Sequence, residues 1–278
     1  RYKDGVGNFR DANVARLGVL YIAANDGTLH AFDGEDGQEL WAYVPRIVYP
    51  ELHKLATDSW STAHKYYVDG SPQSMDAFHA DTSGGTTGAW KTLLVGGLNK
   101  GGRGFYALDV TDPTNPKGLW EACSDPTMCS ISDPDFGFSY GNAVITKRAF
   151  DGRWVVLLTS GINNVTPGDG QGYLFVLVAF TGEILRKVST GAGDTTTPAG
   201  LSKISAFADN FNINNTATFI YGGDLLGNLW RFDMSVDPPR VLRLAELKDA
   251  AGGNPQSITS RPQLGVFEHP TVIAVDAS

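Results

Sequence analysis

Three aspartates, Asp33, Asp109 and Asp233, each end an alternating apolar run. Carboxylates repeated in this way could converge on one channel and do acid–base chemistry. The simpler role is local: an Asp after a strand accepts hydrogen bonds from the backbone N–H groups of the next turn. Cys123 and Cys129 enclose five residues of a polar loop. They are expected to close a small disulfide in an oxidising compartment. A zinc site would need about four ligands, and no nearby His or second Cys pair supplies them. The histidines are His30, His53, His64, His79 and His269, and neither His30 nor His64 lies near a plausible Ser or Cys nucleophile in sequence. No Gly-x-Ser-x-Gly elbow, His-Glu-x-x-His pair or phosphate-binding glycine loop occurs. Gly101-Gly102-Arg103-Gly104 precedes a strand pattern, which makes it a hairpin turn and not a phosphate cradle. Trp41, Trp120 and Trp230 are regularly placed, which suits packing between repeats better than ligand stacking. Structural roles are therefore expected for the aspartates, histidines and tryptophans.

The elements that place these residues are hairpins. Tyr221-Gly222-Gly223-Asp224-Leu225-Leu226-Gly227-Asn228-Leu229-Trp230-Arg231-Phe232-Asp233 has a near copy in Ala24-Asn25-Asp26-Gly27-Thr28-Leu29-His30-Ala31-Phe32-Asp33. In each, a β-rich run meets an Asp/Gly/Asn turn and leaves as an alternating strand. The outgoing strand recurs at residues 104–109 and 172–178, with Val178 where the others have Asp. Incoming strands read at 19–23, 92–96, 154–159 and 218–221. A polar turn follows each outgoing strand, and then come the apolar pairs Leu40-Trp41, Leu119-Trp120, Ile184-Leu185 and Val241-Leu242. Such a unit repeated at long intervals is the pattern of a propeller. We read four blades, with a fifth expected from 262–274. His30 is expected on the strand face opposite Leu29 and Ala31. The anchors are spaced unevenly and more widely than the roughly 40–50 residues of an ordinary blade, so insertions carry the excess. The longest is 44–89. It predicts a short amphipathic helix at 45–55, a strand entering a turn at 63–72 and a loop at 81–88. A second insertion, 122–135, holds both cysteines.

The fold class is thus all-β, a modified propeller with irregular blades and long insertions, read as one domain over 1–278 that is expected to be part of a longer protein. With 33 Gly and 14 Pro, turns are plentiful enough for this. A net charge of -8 without a Lys/Arg cluster argues against a nucleic-acid footprint. No 18-residue apolar run is present to span a membrane. Residues 1–9 carry no signal-peptide pattern.

In order along the chain, the segments at 24–32, 64–72, Val95-Gly96-Gly97-Leu98 with Gly101-Gly102, 107–113 and 221–233 resemble the C-terminal domain of type IV pilus biogenesis and adhesion proteins of the PilC/PilY kind. Together they span most of the chain, and five ordered motifs are more specific than one. An outgoing strand such as 29–33 alone also occurs in quinoprotein propellers. The resemblance implies a seven-bladed-type propeller in a large bacterial surface protein. It also implies a place outside the cytoplasm, at the cell surface, outer membrane or pilus tip. The implied roles are pilus assembly, control of pilus extension and retraction, and adhesion. The implied partners are pilin or minor pilin subunits and a host or abiotic surface.

The resemblance further implies a calcium loop before the Gly-Asp-Leu motif. The matching positions are Asn210, Asn212, Asn214, Thr216 (through its carbonyl) and Thr218. Their alternate spacing is kept, but the carboxylates that calcium prefers are absent. An Asn-rich turn held by side-chain-to-backbone bonds is the other reading of the same residues. We expect a non-enzymatic interaction module. A quinoprotein-like dehydrogenase and a periplasmic assembly scaffold are the alternatives. The first would need adjacent cysteines and a calcium site with a carboxylate base, and this chain has neither in sequence. The two insertions are the expected partner surfaces, because exposed loops on a rigid scaffold collect binding residues.

Overall fold

The computed structural model describes residues 9–58, 60, 62–81, 87–208 and 214–265. Within them the chain winds through four antiparallel sheets in succession, the blades of a β-propeller. Blade 1 is β1 (Val19–Ala23), β2 (Leu29–Asp33) and β3 (Glu39–Tyr43). Blade 2 is β4 (Gln73–Ala80), β5 (Gly88–Gly97), β6 (Gly104–Asp109) and β7 (Lys117–Cys123), with the short β8 (Ile131–Ser132) parallel to β7. Blade 3 is β9 (Val144–Arg148), β10 (Trp154–Thr159), β11 (Tyr173–Val178) and β12 (Ile184–Ser189). Blade 4 is β13 (Ile204–Phe207), β15 (Phe219–Gly223), β16 (Asn228–Asp233) and β17 (Arg240–Glu246). The two-residue β14 (Thr216–Ala217) runs beside β9 and ties the blade 4 chain to blade 3. A one-turn helix, α1 (Phe9–Ala12), sets Phe9 against Trp90.

The hairpins form because their turns supply what a tight reversal needs. Gly27 and Gly227 occupy φ of 96° and 82°, where a side chain is strained. Ala24 N–H and Asp224 N–H bond to the carbonyls of Thr28 and Asn228 respectively, so the two motifs make the same turn. In the second, the fully buried Asp224 also accepts from Asn228 N–H and, at 2.8 Å, from the Trp230 indole. The central strands β6, β10 and β11 are apolar on both faces, as sheets buried on two sides must be. Val155, Leu157, Leu174 and Val176 join the core with Ile220, Trp230 and Phe232 of blade 4, while Val156, Leu158, Phe175 and Leu177 join Val95, Phe105 and Trp120 of blade 2. Leu29 of blade 1 packs with Leu94, Tyr106 and Leu108 of blade 2.

Indoles and ions stitch one blade to the next. Trp41 Nε1 donates to the Pro113 carbonyl at 2.8 Å, and Trp120 Nε1 to the Ala179 carbonyl at 3.0 Å. Both acceptors sit in the turn after the neighbouring blade's outgoing strand. At the third junction Leu185 stands in the tryptophan's place. There Arg186 reaches Asp237 in the equivalent turn of blade 4, which Arg148 also contacts at 3.3 Å. Trp230 differs from the other two, because its N–H stays within its own hairpin.

Two local expectations need correction. Residues 63–72 are irregular chain and not a strand. Among the described residues the segment pairs with no neighbouring strand; adjacent Tyr67 and Val68 are both fully buried by packing against blades 1 and 2 instead. The helix at 45–55 is a 3₁₀ helix, Arg46–Ala56, because Pro50 inside it removes a donor that α-helical bonding would use. Of the fifth blade, 262–265 is irregular and the remainder lies outside the described residues. The insertion at 44–89 is also not one surface. Since β4 passes through it, 44–72 lies at one end of the blades while β4 ends and β5 begins at the other, and 82–86 of the loop expected at 81–88 lie outside the described residues.

Candidate partner surface

Connections alternate between the two ends of a blade. The β1–β2, β5–β6, β10–β11 and β15–β16 turns therefore share one end with the crossings between blades. The longest crossing, residues 44–72, is a strap over blades 1 and 2. Glu121 of β7 fixes its start. One carboxylate oxygen accepts the Tyr43 hydroxyl at 2.7 Å and Arg46 N–H at 2.8 Å, and the other accepts Ile47 N–H at 3.1 Å. An acid on the first N–H groups of a helix is a favourable cap. Burial, and then Glu121 beside it, push the Tyr43 phenol far above its ordinary value. The strap's far end is pinned by Tyr67, whose hydroxyl donates to the Glu51 carbonyl at 2.8 Å. Lys54 and Lys65 both bond Glu51 and hold its carboxyl down at about 2.

Between these anchors the strap presents rings to solvent. Trp60 and His64 lie 4.8 Å apart between centroids, His64 meets Tyr66 edge-on at 5.0 Å, and the Lys100 ammonium sits 4.9 Å above Tyr66. His64 and Lys100 are exposed, while Trp60 and Tyr66 are half-buried. Half-buried aromatics beside a cation, on loops fixed by a rigid sheet, are the composition of binding hot spots.

The neighbouring loops at this end are held with equal firmness. Arg103, from the β5–β6 turn, donates to five carbonyls: Phe136 at 2.9 Å, Val165 at 3.2 Å, Thr166 at 3.3 Å, Pro134 at 3.4 Å and Pro167 at 2.6 Å. One guanidinium thus joins the β5–β6 turn to two loops of the blade 2–blade 3 junction. Lys187 of β12 bridges Asp133, at 2.7 Å, and Asp135. Burial lowers its affinity for a proton, but the two carboxylates outweigh that and raise it above the ordinary lysine value. Cys123 and Cys129 are disulfide-bonded with Cα atoms 5.8 Å apart, closing the second insertion into a compact loop.

The residues singled out in the sequence do not come together in one site. Asp33, Asp109 and Asp233 each accept the N–H two residues on, from Glu35, Thr111 and Ser235. They shape three separate turns at the end opposite the strap. At Val178 the Thr181 hydroxyl takes over this role for Glu183 N–H. His53 caps the Pro50 carbonyl, His79 packs on Phe180, and His269 lies outside the described residues. His30 lies opposite buried Leu29 and Ala31, bonding Glu39 at 2.6 Å and Asp26 at 2.8 Å. The bond to Glu39 raises its pKa above 6.5; burial opposes this and Asp26 adds to it. The sign follows. Stability from this pair is full below pH 6.5 and is lost as pH rises through the higher folded value. The unmodified chain should lose up to about 1 kcal/mol of stability across that window. A His30→Asn chain should show no such step in its pH–stability curve.

Of the calcium positions, Asn210 and Asn212 lie outside the described residues. Asn214 Oδ1 accepts Thr216 N–H at 3.0 Å, and the Thr218 carbonyl accepts Met234 N–H at 2.8 Å. Of the three described positions, Asn214 and Thr218 thus each engage an oxygen with the chain's own backbone. Among the described residues, no three His, Cys, Asp or Glu side chains are arranged to hold a metal. Arg103, Glu121 and Lys187 were not legible as site residues. Arg103 and Glu121 act on backbone groups, which every sequence carries.

Comparison with known proteins follows this geometry. Residues 3–264 match the family model described as the PilY1 beta-propeller domain. The type IV pilus biogenesis factor PilY1 of Pseudomonas aeruginosa is 37% identical over 288 residues, covering 95% of this chain and 23% of that protein. A PilY1 homolog of Xylella fastidiosa is 37% identical over 256 residues, covering 92% of this chain and 19% of that protein. The crystal structure of the Pseudomonas aeruginosa PilY1 C-terminal domain superposes with a TM-score of 0.73 at 34% identity, covering 95% of this chain and 52% of that one. The chain spans about a fifth of the length of these curated relatives.

Proposed function

The chain belongs to the PilY1 β-propeller family, and from that premise we propose that it serves type IV pilus biogenesis as a non-enzymatic interaction module. In this reading the blades are a rigid frame and the strap carries the contact. Pilin or minor pilin subunits are the partners, and a host or abiotic surface is reached through the same end. The place of action is outside the cytoplasm, at the cell surface, outer membrane or pilus tip. Control of pilus extension and retraction and attachment to surfaces would both follow from holding pilin at this end. One observation carries the proposal: the half-exposed Trp60–His64–Tyr66–Lys100 row on a strap tied down by Glu121 and Tyr67. Among the described residues no helix is long and apolar enough to cross a membrane.

Calcium enters this reading as a weak ligand of the loop containing Asn210, Asn212, Asn214, Thr216 and Thr218, since neutral oxygens attract it less than carboxylates do.

The test is a Trp60→Ala, Tyr66→Ala double variant in the bacterium that carries the protein. Half-exposed strap positions should cost little stability, so the melting temperature should stay close to that of the unmodified chain. Surface pili and attachment should fall several-fold. Unchanged piliation and attachment would overturn the strap as the contact. A visible cofactor band with dye reduction by the purified chain would overturn the non-enzymatic reading and favour a quinoprotein dehydrogenase.

A further inference from the structure

The Cys123–Cys129 bridge lies where several long-range ties meet. Just before Cys123, Glu121 caps the start of the strap. The Cys123 carbonyl accepts Asp133 N–H at 3.1 Å, and Ser124 N–H donates to the Arg103 carbonyl at 3.2 Å. Ile47 of the strap comes close to the bridge over Gly104, where a Cβ would stand 2.8 Å from Ile47 Cδ1 and 2.7 Å from Cys123 Cβ. The bridged loop also touches the strap directly, since Arg46 Nη2 donates to the Thr127 carbonyl at 3.5 Å. Next to Cys129, the Ser130 hydroxyl donates to the carbonyl of Glu121 itself at 3.1 Å.

Little besides the bridge shapes this loop. Asp125, Pro126, Thr127 and Ser130 are exposed, and no residue of 124–130 is buried. The blade does not need the loop in return. Trp120 and Ala122 hold β7 in the core, and Ile131 packs against the same core from the other end of the loop. A bridge that closes so short a loop also constrains the unfolded chain less than a long-range one does. Opening it therefore frees 124–130 and leaves blade 2 folded.

The two sulfurs are not equivalent. Cys123 is 2% exposed and Cys129 is half-buried, so an incoming thiolate reaches Cys129. The Asp125 carbonyl stands 3.3 Å from Cys123 Sγ. A bridged sulfur has no proton to give, whereas a thiol there would donate to that carbonyl, so the reduced form finds its acceptor already in place. We propose that the Cys123–Cys129 bridge is a redox latch on the strap. One thiolate of a dithiol attacks Cys129 Sγ, the bond between the two sulfurs breaks, and Cys123 leaves as a thiolate that takes up a proton. The second thiolate of the dithiol then attacks its own sulfur in the mixed disulfide and releases Cys129, which is protonated in turn. Two electrons and two protons pass to the protein, and the dithiol becomes a disulfide. With the bridge closed, the loop holds Arg46 and Glu121 where the first turn of the strap needs them. With it open, Thr127 and Ser130 let go and that turn loosens. What this does to a pilus contact rests on the strap reading above; the loosening itself does not.

The experiment treats the purified chain with dithiothreitol in the absence of denaturant. Both cysteines should then take up iodoacetamide. Hydrogen exchange at Arg46, Ile47 and the loop 124–130 should become roughly tenfold faster or more, while β6 and β10 keep their rates. A Cys123→Ser, Cys129→Ser chain should show the faster exchange without reductant and no response to it. Cysteines that react only after urea is added would overturn the proposal. So would faster exchange throughout β6, which would make the bridge a staple of the whole blade. A freed loop beside unchanged Arg46 and Ile47 amides would overturn it too, because the latch would not reach the strap. None of these readings needs a pilus partner, so failure of the latch and failure of the strap contact are seen separately.

Discussion

Replacing Trp120 by alanine should destabilise the chain by about 4 kcal/mol, because a large buried aromatic is removed from a packed junction. Trp120 is 4% exposed, lies in the core shared by blades 2 and 3, and donates its N–H to the Ala179 carbonyl. It also covers the turn at Gly182, where a Cβ would stand 2.7 Å from the indole. Alanine would leave a cavity, an unpaired carbonyl and an uncovered turn at once. Trp41 makes the same kind of bond to Pro113 but is only half-buried. Its alanine variant should lose about half as much. Trp120→Phe restores most of the area but not the donor, so it should cost about 1 kcal/mol. In a chain of this size, 4 kcal/mol corresponds to a fall in melting temperature of roughly 10 °C. Urea unfolding of the three variants gives the order. If Trp120→Ala cost no more than Trp41→Ala, the blades would be joined by something other than this indole face.

The same tryptophans show what was readable beforehand. Blade hairpins were legible because turn chemistry is local: Gly27 and Gly227 need positive φ, and each brings an alternating strand behind it. β1, β2, β10 and β11 fall at or within a residue of their expected bounds. The first strand of the later blades was missed. β13 has only four residues, and β4 mixes Ser74, Asp76 and His79 into its run, so neither shows a clean period of two. Their partners in the sheet hold them extended. The strap failed for a related reason. Tyr67 and Val68 are consecutive and both buried because Gly101 lets the backbone of the next turn approach. A Cβ there would meet the Tyr67 carbonyl at 1.6 Å. That packing depends on two segments far apart in sequence. The strap's cap is equally non-local, since Glu121 serves Arg46 and Ile47 across two blades. The Asp turns were readable because their whole mechanism spans two residues.

Changing Asn210, Asn212 and Asn214 together to aspartate should convert a weak calcium loop into a strong one. Calcium takes six to eight hard oxygens, and its affinity follows how many of them are charged. The unmodified set offers only neutral side-chain oxygens, and Asn214 already spends its own on Thr216 N–H. Titration calorimetry on the unmodified chain should therefore show a dissociation constant no tighter than about 10⁻³ M. Three added carboxylates at alternate positions should bring the variant to roughly 10⁻⁵ M, a gain of about a hundredfold. The cost appears without metal. The variant places three like charges within five residues, so its calcium-free melting temperature should fall and calcium should restore it. Asn215 reports on whether the turn itself survives. Its backbone carbonyl holds Thr146 and Lys147, and its amide reaches the Ile145 carbonyl. If the variant binds calcium while β14 stays beside β9, the backbone geometry for calcium is intact and only charge was missing. Micromolar binding by the unmodified chain would mean that backbone carbonyls, and not side-chain charge, set affinity here. Calcium would then become part of the proposed pilus contact.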